Sequence, residues 1–330
     1  MTAGAGRAAG PASVTPAGSP GPDGPALRLG IDLGGTKIHA VVLDAAGQVR
    51  WEQRTPTPRD DYDATLRALT SVVETATAAT CTPGSGRLTV GIGGPGSLTR
   101  EGLLKNANST WLNGRPIERD LAARLGRPVR YANDANCLAL SEATDGAGAG
   151  FDVVFAVILG TGTGAGIAVH GQVLTGPNGL AGEWGHNPLP WLDAATDPVF
   201  DCYCGQRGCA ETLLSGSGLA RAHAWRHGGA LRGEEIVALA EAGDAACRAT
   251  LDHHVRHLAM GLAGVINLLD PDVIVLGGGL SRLPHLYEQV PAQWARWVFS
   301  GGQRDAVRTP LVPARHGDAS GVRGAAWIGV

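Results

Sequence analysis

The chain has little of what would commit it to a membrane, a nucleic acid or the cell exterior. No apolar run in its 330 residues reaches the length of a bilayer span, and residues 1–26 lack the hydrophobic core of a secretory signal. Charge is sparse too: Asp, Glu, Lys and Arg make up 17% of the chain, and the formal net charge is -3. The absence of a polybasic surface argues against nucleic acid as the main partner. Residues 1–26 are Gly, Pro, Ala and Ser with almost no large apolar side chain. Such a segment cannot bury enough surface to offset chain entropy, so it reads as a disordered leader. It also lacks the length and pattern of a helix-turn-helix. Cys81, Cys137 and Cys247 stand far apart, as reduced cytosolic thiols do. These absences leave a cytoplasmic enzyme acting on a small molecule.

Glycine is abundant. Fifty glycines cluster in short loops without a repeating period, which suggests ligand-cradling turns rather than linker or collagen. Three such loops follow apolar strands. Residues 27–33 lead into Gly34-Gly35-Thr36-Lys37 and a second strand at 38–44. Residues 151–159 lead into Gly160-Thr161-Gly162-Thr163-Gly164 and a strand from Ile167. Residues 273–276 lead into Gly277-Gly278-Gly279. Glycine turns let backbone N–H groups approach a phosphate, and threonine hydroxyls add donors. Each turn alone is equally an ordinary hairpin. The repetition of strand, glycine-threonine turn and strand suggests two similar lobes facing one nucleotide. Lys37 does not stand where a Walker motif requires its lysine.

Two aspartates end strands. Asp32 precedes the first turn and could hold magnesium through water, or simply serve the turn. Asp134 follows the strand at 129–132 and opens a helix, where open α/β sheets place ligands and where Asp is also a good N-cap. The run from Lys105 to Trp111 is rich in amides and hydroxyls, suited to a polyol or to a plain capping loop. Helical spacing predicts helices over 60–80, 117–125, 231–239 and 245–269. The last carries His253, His254 and His257, expected on a solvated face. Between Glu183 and Glu211 lie His186, Cys202, Cys204 and Cys209, with Gly205 and Gly208 inside the turn. Three thiolates and an imidazole suit tetrahedral zinc, and four protein ligands leave no open position, so the metal is expected to be structural. The strand and helix pattern as a whole is α/β with parallel character.

Together these stretches resemble the ROK family of sugar kinases. The resemblance runs from residue 27 to the end. It is carried by Asp32-Leu33-Gly34-Gly35-Thr36-Lys37, Asn133-Asp134-Ala135-Asn136, the turn at 160–164, Glu183-Trp184-Gly185-His186, the stretch from Cys202 to Glu211, and Gly277-Gly278-Gly279. It implies an α/β, two-lobed actin/hexokinase-like (ribonuclease H-like) fold with a zinc-binding loop at 183–211. One lobe would span 27–140, completed by the C-terminal helix at about 316–330, and the other 141–315. It implies ATP with Mg2+, Asp134 as general base, and sugar hydroxyls bound by Asn108, Asn133, Glu183, His186 and Glu211. The turns at 34–37 and 160–164, with Gly278 and Gly279, would line the ATP site, and structural zinc would sit on His186, Cys202, Cys204 and Cys209. A homodimer is implied as well. Within the family, residues 105–114, 187–191 and 316–327 read like the bacterial fructokinases, also called mannofructokinases. The expected reaction is therefore D-fructose plus ATP to D-fructose 6-phosphate. N-acetylglucosamine kinase or glucokinase is the alternative, and a sugar-sensing transcriptional regulator a remote one.

Overall fold

Apolar residues on consecutive positions make the stretch after the leader a strand buried on both faces, β1 (Leu27–Leu33). The Gly-Gly turn returns the chain as antiparallel β2 (Lys37–Asp44), which pairs in turn with β3 (Val49–Pro56). The computed structural model describes residues 27–81, 88–299 and 306–329. The expected leader at 1–26 lies outside them. α1 (Tyr62–Thr80) starts on Asp61, whose side chain accepts the Ala64 N–H, and crosses to β4 (Leu88–Gly94), parallel to β1. A small hairpin of β5 (Ser97–Leu98) and β6 (Leu104–Lys105), then α2 (Ile117–Leu125), lead to β7 (Arg130–Asn133). The first sheet has the order β3-β2-β1-β4-β7.

α3 (Asp134–Asp145) leaves the end of β7, and the same order then repeats. β8 (Val153–Leu159), β9 (Thr163–Val169) and β10 (Gln172–Val173) form the antiparallel part. α4 (Glu211–Leu214), α5 (Gly216–His227), α6 (Gly233–Glu241) and α7 (Ala245–Leu269) precede β11 (Val273–Gly277), which is parallel to β8. After α8 (Leu286–Gln289), β12 (Leu311–Pro313) completes the sheet β10-β9-β8-β11-β12. The α/β expectation holds, with mixed rather than parallel sheets, because hairpins join the first strands of each.

α9 (Ser320–Ile328) returns to the first sheet and packs across β1 and β4, while α3 packs on β8 and β9. The two helices also pack against each other, so they lie between the sheets. Glycines set that spacing. A Cβ on Gly30 would stand 2.1 Å from the Val322 carbonyl oxygen, and one on Gly324 1.8 Å from that of Cys137. We expect Gly324→Ala to cost about 1–3 kcal/mol by overpacking, read as a lower Tm or denaturant midpoint.

One expectation is corrected. Of the α7 histidines, His254 and His257 are 2% and 1% exposed, not solvated. α7 is covered by α4, α5 and α6, so even its polar stripe is internal. His254 Nε2 donates to the Leu214 carbonyl at 3.0 Å, and burial drops its pKa to about 4. His257 Nε2 lies 2.8 Å from Asp197 Oδ1.

Candidate active site

The end of β7 and the start of α3 place Asp134. Asn133 caps the helix, its Oδ1 accepting the Ala135 N–H at 2.9 Å while its Nδ2 donates to the Gly96 carbonyl at 3.2 Å. Asp134 Oδ1 accepts the same Ala135 N–H at 2.8 Å. The carboxyl is open to solvent on one side, with protein around the rest. Burial pushes its pKa up, the Ala135 N–H pulls it down, and the Glu183 carboxylate pushes it up again. Water on the open side limits that push. Asp32, at the end of β1, is raised to about 6, first by burial and then by the Asp134 carboxylate, with the Lys37 ammonium opposing. Asp134 is thus within electrostatic reach of both Asp32 and Glu183. An excess of negative charge of this kind fits a divalent cation.

The first glycine turn is braced from β3. Thr57 Oγ1 donates to the Gly34 carbonyl at 2.7 Å, the Thr57 N–H donates to the Thr36 carbonyl at 3.0 Å, and Gly35, Thr36 and Lys37 stay exposed. The second turn closes more tightly: Gly160 N–H donates to the Gly162 carbonyl at 3.0 Å, and Thr163 already pairs with Leu159. Thr161 is exposed at its tip. Thr163 is buried, and its N–H is taken by Glu211. Gly278 has φ +85, and a Cβ there would meet the Leu159 carbonyl oxygen at 2.5 Å, so the third turn must carry glycine to sit beside the second. Gly279 next to it has open space above it.

Of the expected sugar residues, Asn133 adjoins Asp134 in the chain and Glu183 shares its field. Glu183 opens a short 3-10 turn, Glu183–His186, within reach of Asp134. Asn108 is exposed on its loop. That loop is held by Asn113, whose Oδ1 accepts the Ala107 N–H and whose Nδ2 donates to the Ala107 carbonyl, both at 2.9 Å. A cavity of about 690 Å³ adjoins the site through Asn133 and Asn136, between the β5–β6 hairpin and residues 175–180. Asp134 itself does not line it. Asn113 and Tyr131, whose hydroxyl donates to the Pro95 carbonyl at 2.7 Å, are supports that sequence reasoning missed. Tyr131's partner lies 36 residues away, beyond any local pattern, whereas Asn113 reaches back six residues within its own loop.

His186, Cys202, Cys204 and Cys209 converge, with all four ligand atoms within 4.8 Å of one another. Cys202 Sγ is 3.6 Å from His186 Nδ1, and Cys204 Sγ is 3.6 Å from Cys209 Sγ. A zinc tetrahedron with bonds of about 2.3 Å has edges of about 3.8 Å, so the donor set fits that ion. Burial and the neighbouring thiols push Cys209 up to about 12, a repulsion a cation would remove. His186 Nε2 lies 3.0 Å from the Tyr203 hydroxyl, so its second nitrogen already has a partner. Glu211, two residues past Cys209, turns to the second glycine turn and accepts the Thr163 N–H at 3.0 Å.

The chain as a whole is similar to known sugar kinases. The chain is 42% identical over 309 residues to an N-acetyl-D-glucosamine kinase of Escherichia coli O1:K1 / APEC, covering 92% of this chain and 99% of that one. A ROK hexokinase from Thermus thermophilus superposes with a TM-score of 0.78 at 32% identity, covering 91% of this chain and 96% of that one. A ROK family glucokinase from Streptomyces griseus, solved with glucose and AMPPNP, gives a TM-score of 0.72 at 29% identity over 92% and 99%. Residues 28–329 match the model of the ROK family, and the chain belongs to that family.

Proposed function

We propose that the protein is an ATP-dependent hexose kinase acting on N-acetylglucosamine, with Asp134 as its general base. The observation that carries the reaction class is the placement of Asp134. It ends a strand and begins a helix, with Asp32 and Glu183 in reach and glycine turns on both sheets. Its raised pKa suits a base. Its carboxylate takes the proton of the sugar's primary hydroxyl as that oxygen attacks the γ-phosphorus. The new P–O bond forms while the bridging P–O bond breaks and ADP leaves. Gly34 N–H and Gly160 N–H are spent within their turns, so the N–H groups of Gly35, Thr36, Thr161 and Gly162 are the ones to meet the transferring charge. Mg2+ held by Asp32 would supply neutralisation of the phosphate oxygens. Zinc held by His186, Cys202, Cys204 and Cys209 would fix the wall that carries Glu183 and Glu211.

The sugar choice rests on likeness. A fructose preference follows from short stretches at 105–114, 187–191 and 316–327. The 42% identity across 92% of the chain weighs instead toward the acetamido sugar, and the cavity beside Asn133 offers room for its extra group. In a coupled ADP-release assay, kcat/KM for N-acetylglucosamine should exceed that for fructose and for glucose by about tenfold or more. A larger value for fructose would return the assignment to fructokinase.

A further inference from the structure

The turn at 160–164 does not stand free. Three of its backbone groups are held by the segment that follows the last cysteine of the cluster. Thr163 N–H donates to Glu211 Oε2 at 3.0 Å, Ser217 Oγ donates to the Thr161 carbonyl at 2.7 Å, and Gly216 N–H donates to the Gly160 carbonyl at 2.8 Å. Ser217 Oγ is itself 3.0 Å from Ser215 Oγ, the cap of α5. There is no slack. A Cβ on Gly162 would stand 2.7 Å from Glu211 Oε2, and one on Gly185 2.0 Å from the Thr163 carbonyl oxygen. Thr163 is 4% exposed, so its N–H belongs to the support, and the tip around Thr161 is what the turn presents.

We propose that Glu211 and Ser217 are positioning residues for the phosphate turn, so that the loop holding the cysteine cluster sets nucleotide affinity as well as a sugar-site wall. This rests on the reading of 160–164 as the phosphate turn. A turn with glycine at 160, 162 and 164 has many backbone states, and nucleotide affinity falls in proportion to the share of turns outside the competent one. Glu211 and Ser217 select that state through the two residues that flank Gly162.

The test is equilibrium binding of a non-hydrolysable ATP analogue to sugar-free protein, for wild type, Glu211→Gln, Glu211→Ala and Ser217→Ala. Glutamine keeps an acceptor for the Thr163 N–H and alanine removes it. We expect the analogue's Kd to rise about three- to tenfold in Glu211→Ala and Ser217→Ala and by less than about twofold in Glu211→Gln. Sugar affinity in Ser217→Ala should stay at the wild-type value, which separates turn positioning from general loosening. If Glu211 serves only the sugar, the sugar-free Kd is unchanged in every variant, and the proposal falls while the kinase reading stands. A tighter Kd in Glu211→Ala, from a carboxylate that repels phosphate, overturns it as well. Wild-type protein that binds no analogue overturns both this proposal and the reading beneath it.

Discussion

Asp134→Asn lowers kcat by about 10²- to 10⁴-fold, the range typical of a lost general base, while sugar and nucleotide Kd change little. Asparagine keeps the shape and the Ala135 contact, since its side-chain oxygen can still accept that N–H. It cannot take a proton. The same group shapes the acid side of the wild-type pH profile. Asp32 is raised to about 6 and loses charge as pH falls through that value, while burial raises Asp134 above the ordinary carboxylate range, so it too loses charge earlier on acidification than a free aspartate. A base must be ionised and a cation ligand must be charged, so kcat/KM declines with acidification. Near wild-type turnover by Asp134→Asn in a single-turnover assay would remove Asp134 from the chemistry.

Stripping the metal raises the sugar KM by about tenfold or more and lowers Tm by comparatively little. As purified, the protein should carry one zinc per chain. Without the cation the thiols reprotonate, and the link from Cys209 to Glu211 and from His186 to Glu183 loses its fixed point. Unfolding lags because the loop has a second anchor. Asp197, 3% exposed, accepts Arg256 at 2.8 Å and meets His257 at 2.8 Å, tying the strand of chain before Cys202 to α7. Breaking such a buried pair is costly, so that tie outlasts the metal. Unchanged sugar kinetics in protein verified as zinc-free by elemental analysis would dispose of the clamp. Cys204→Ser, which removes a ligand from the exposed side of the cluster, should shift KM in the same direction.

Local patterns were enough for much of the scaffold. Expected helices at 117–125 and 245–269 coincide with α2 and α7, and the repeated strand-turn-strand at 27–44 and 151–170 is seen in two sheets of the same order. β3 carries no clear strand signature in the sequence, since Arg50, Glu52 and Arg54 on its outward positions give it the look of a loop. The α7 histidines depart from the sequence expectation because burial of a polar stripe depends on what covers it. Sugar preference was out of reach for a different reason. No short motif ranks hexoses, and the stretches that suggested fructose are a small part of the chain.

From its own residues the chain determines the α/β class, the glycine turns, the strand-end aspartates and the three cysteines of the metal donor set, because each depends on neighbours a few positions apart. Only the folded molecule brings Asp32, Asp134 and Glu183 into one field, and only there does Glu211 support a turn 48 residues earlier in the chain. Those relations depend on two helices packed between two sheets at a distance set by Gly30 and Gly324. A spacing of that kind is set by contacts across the whole chain, which no local stretch encodes.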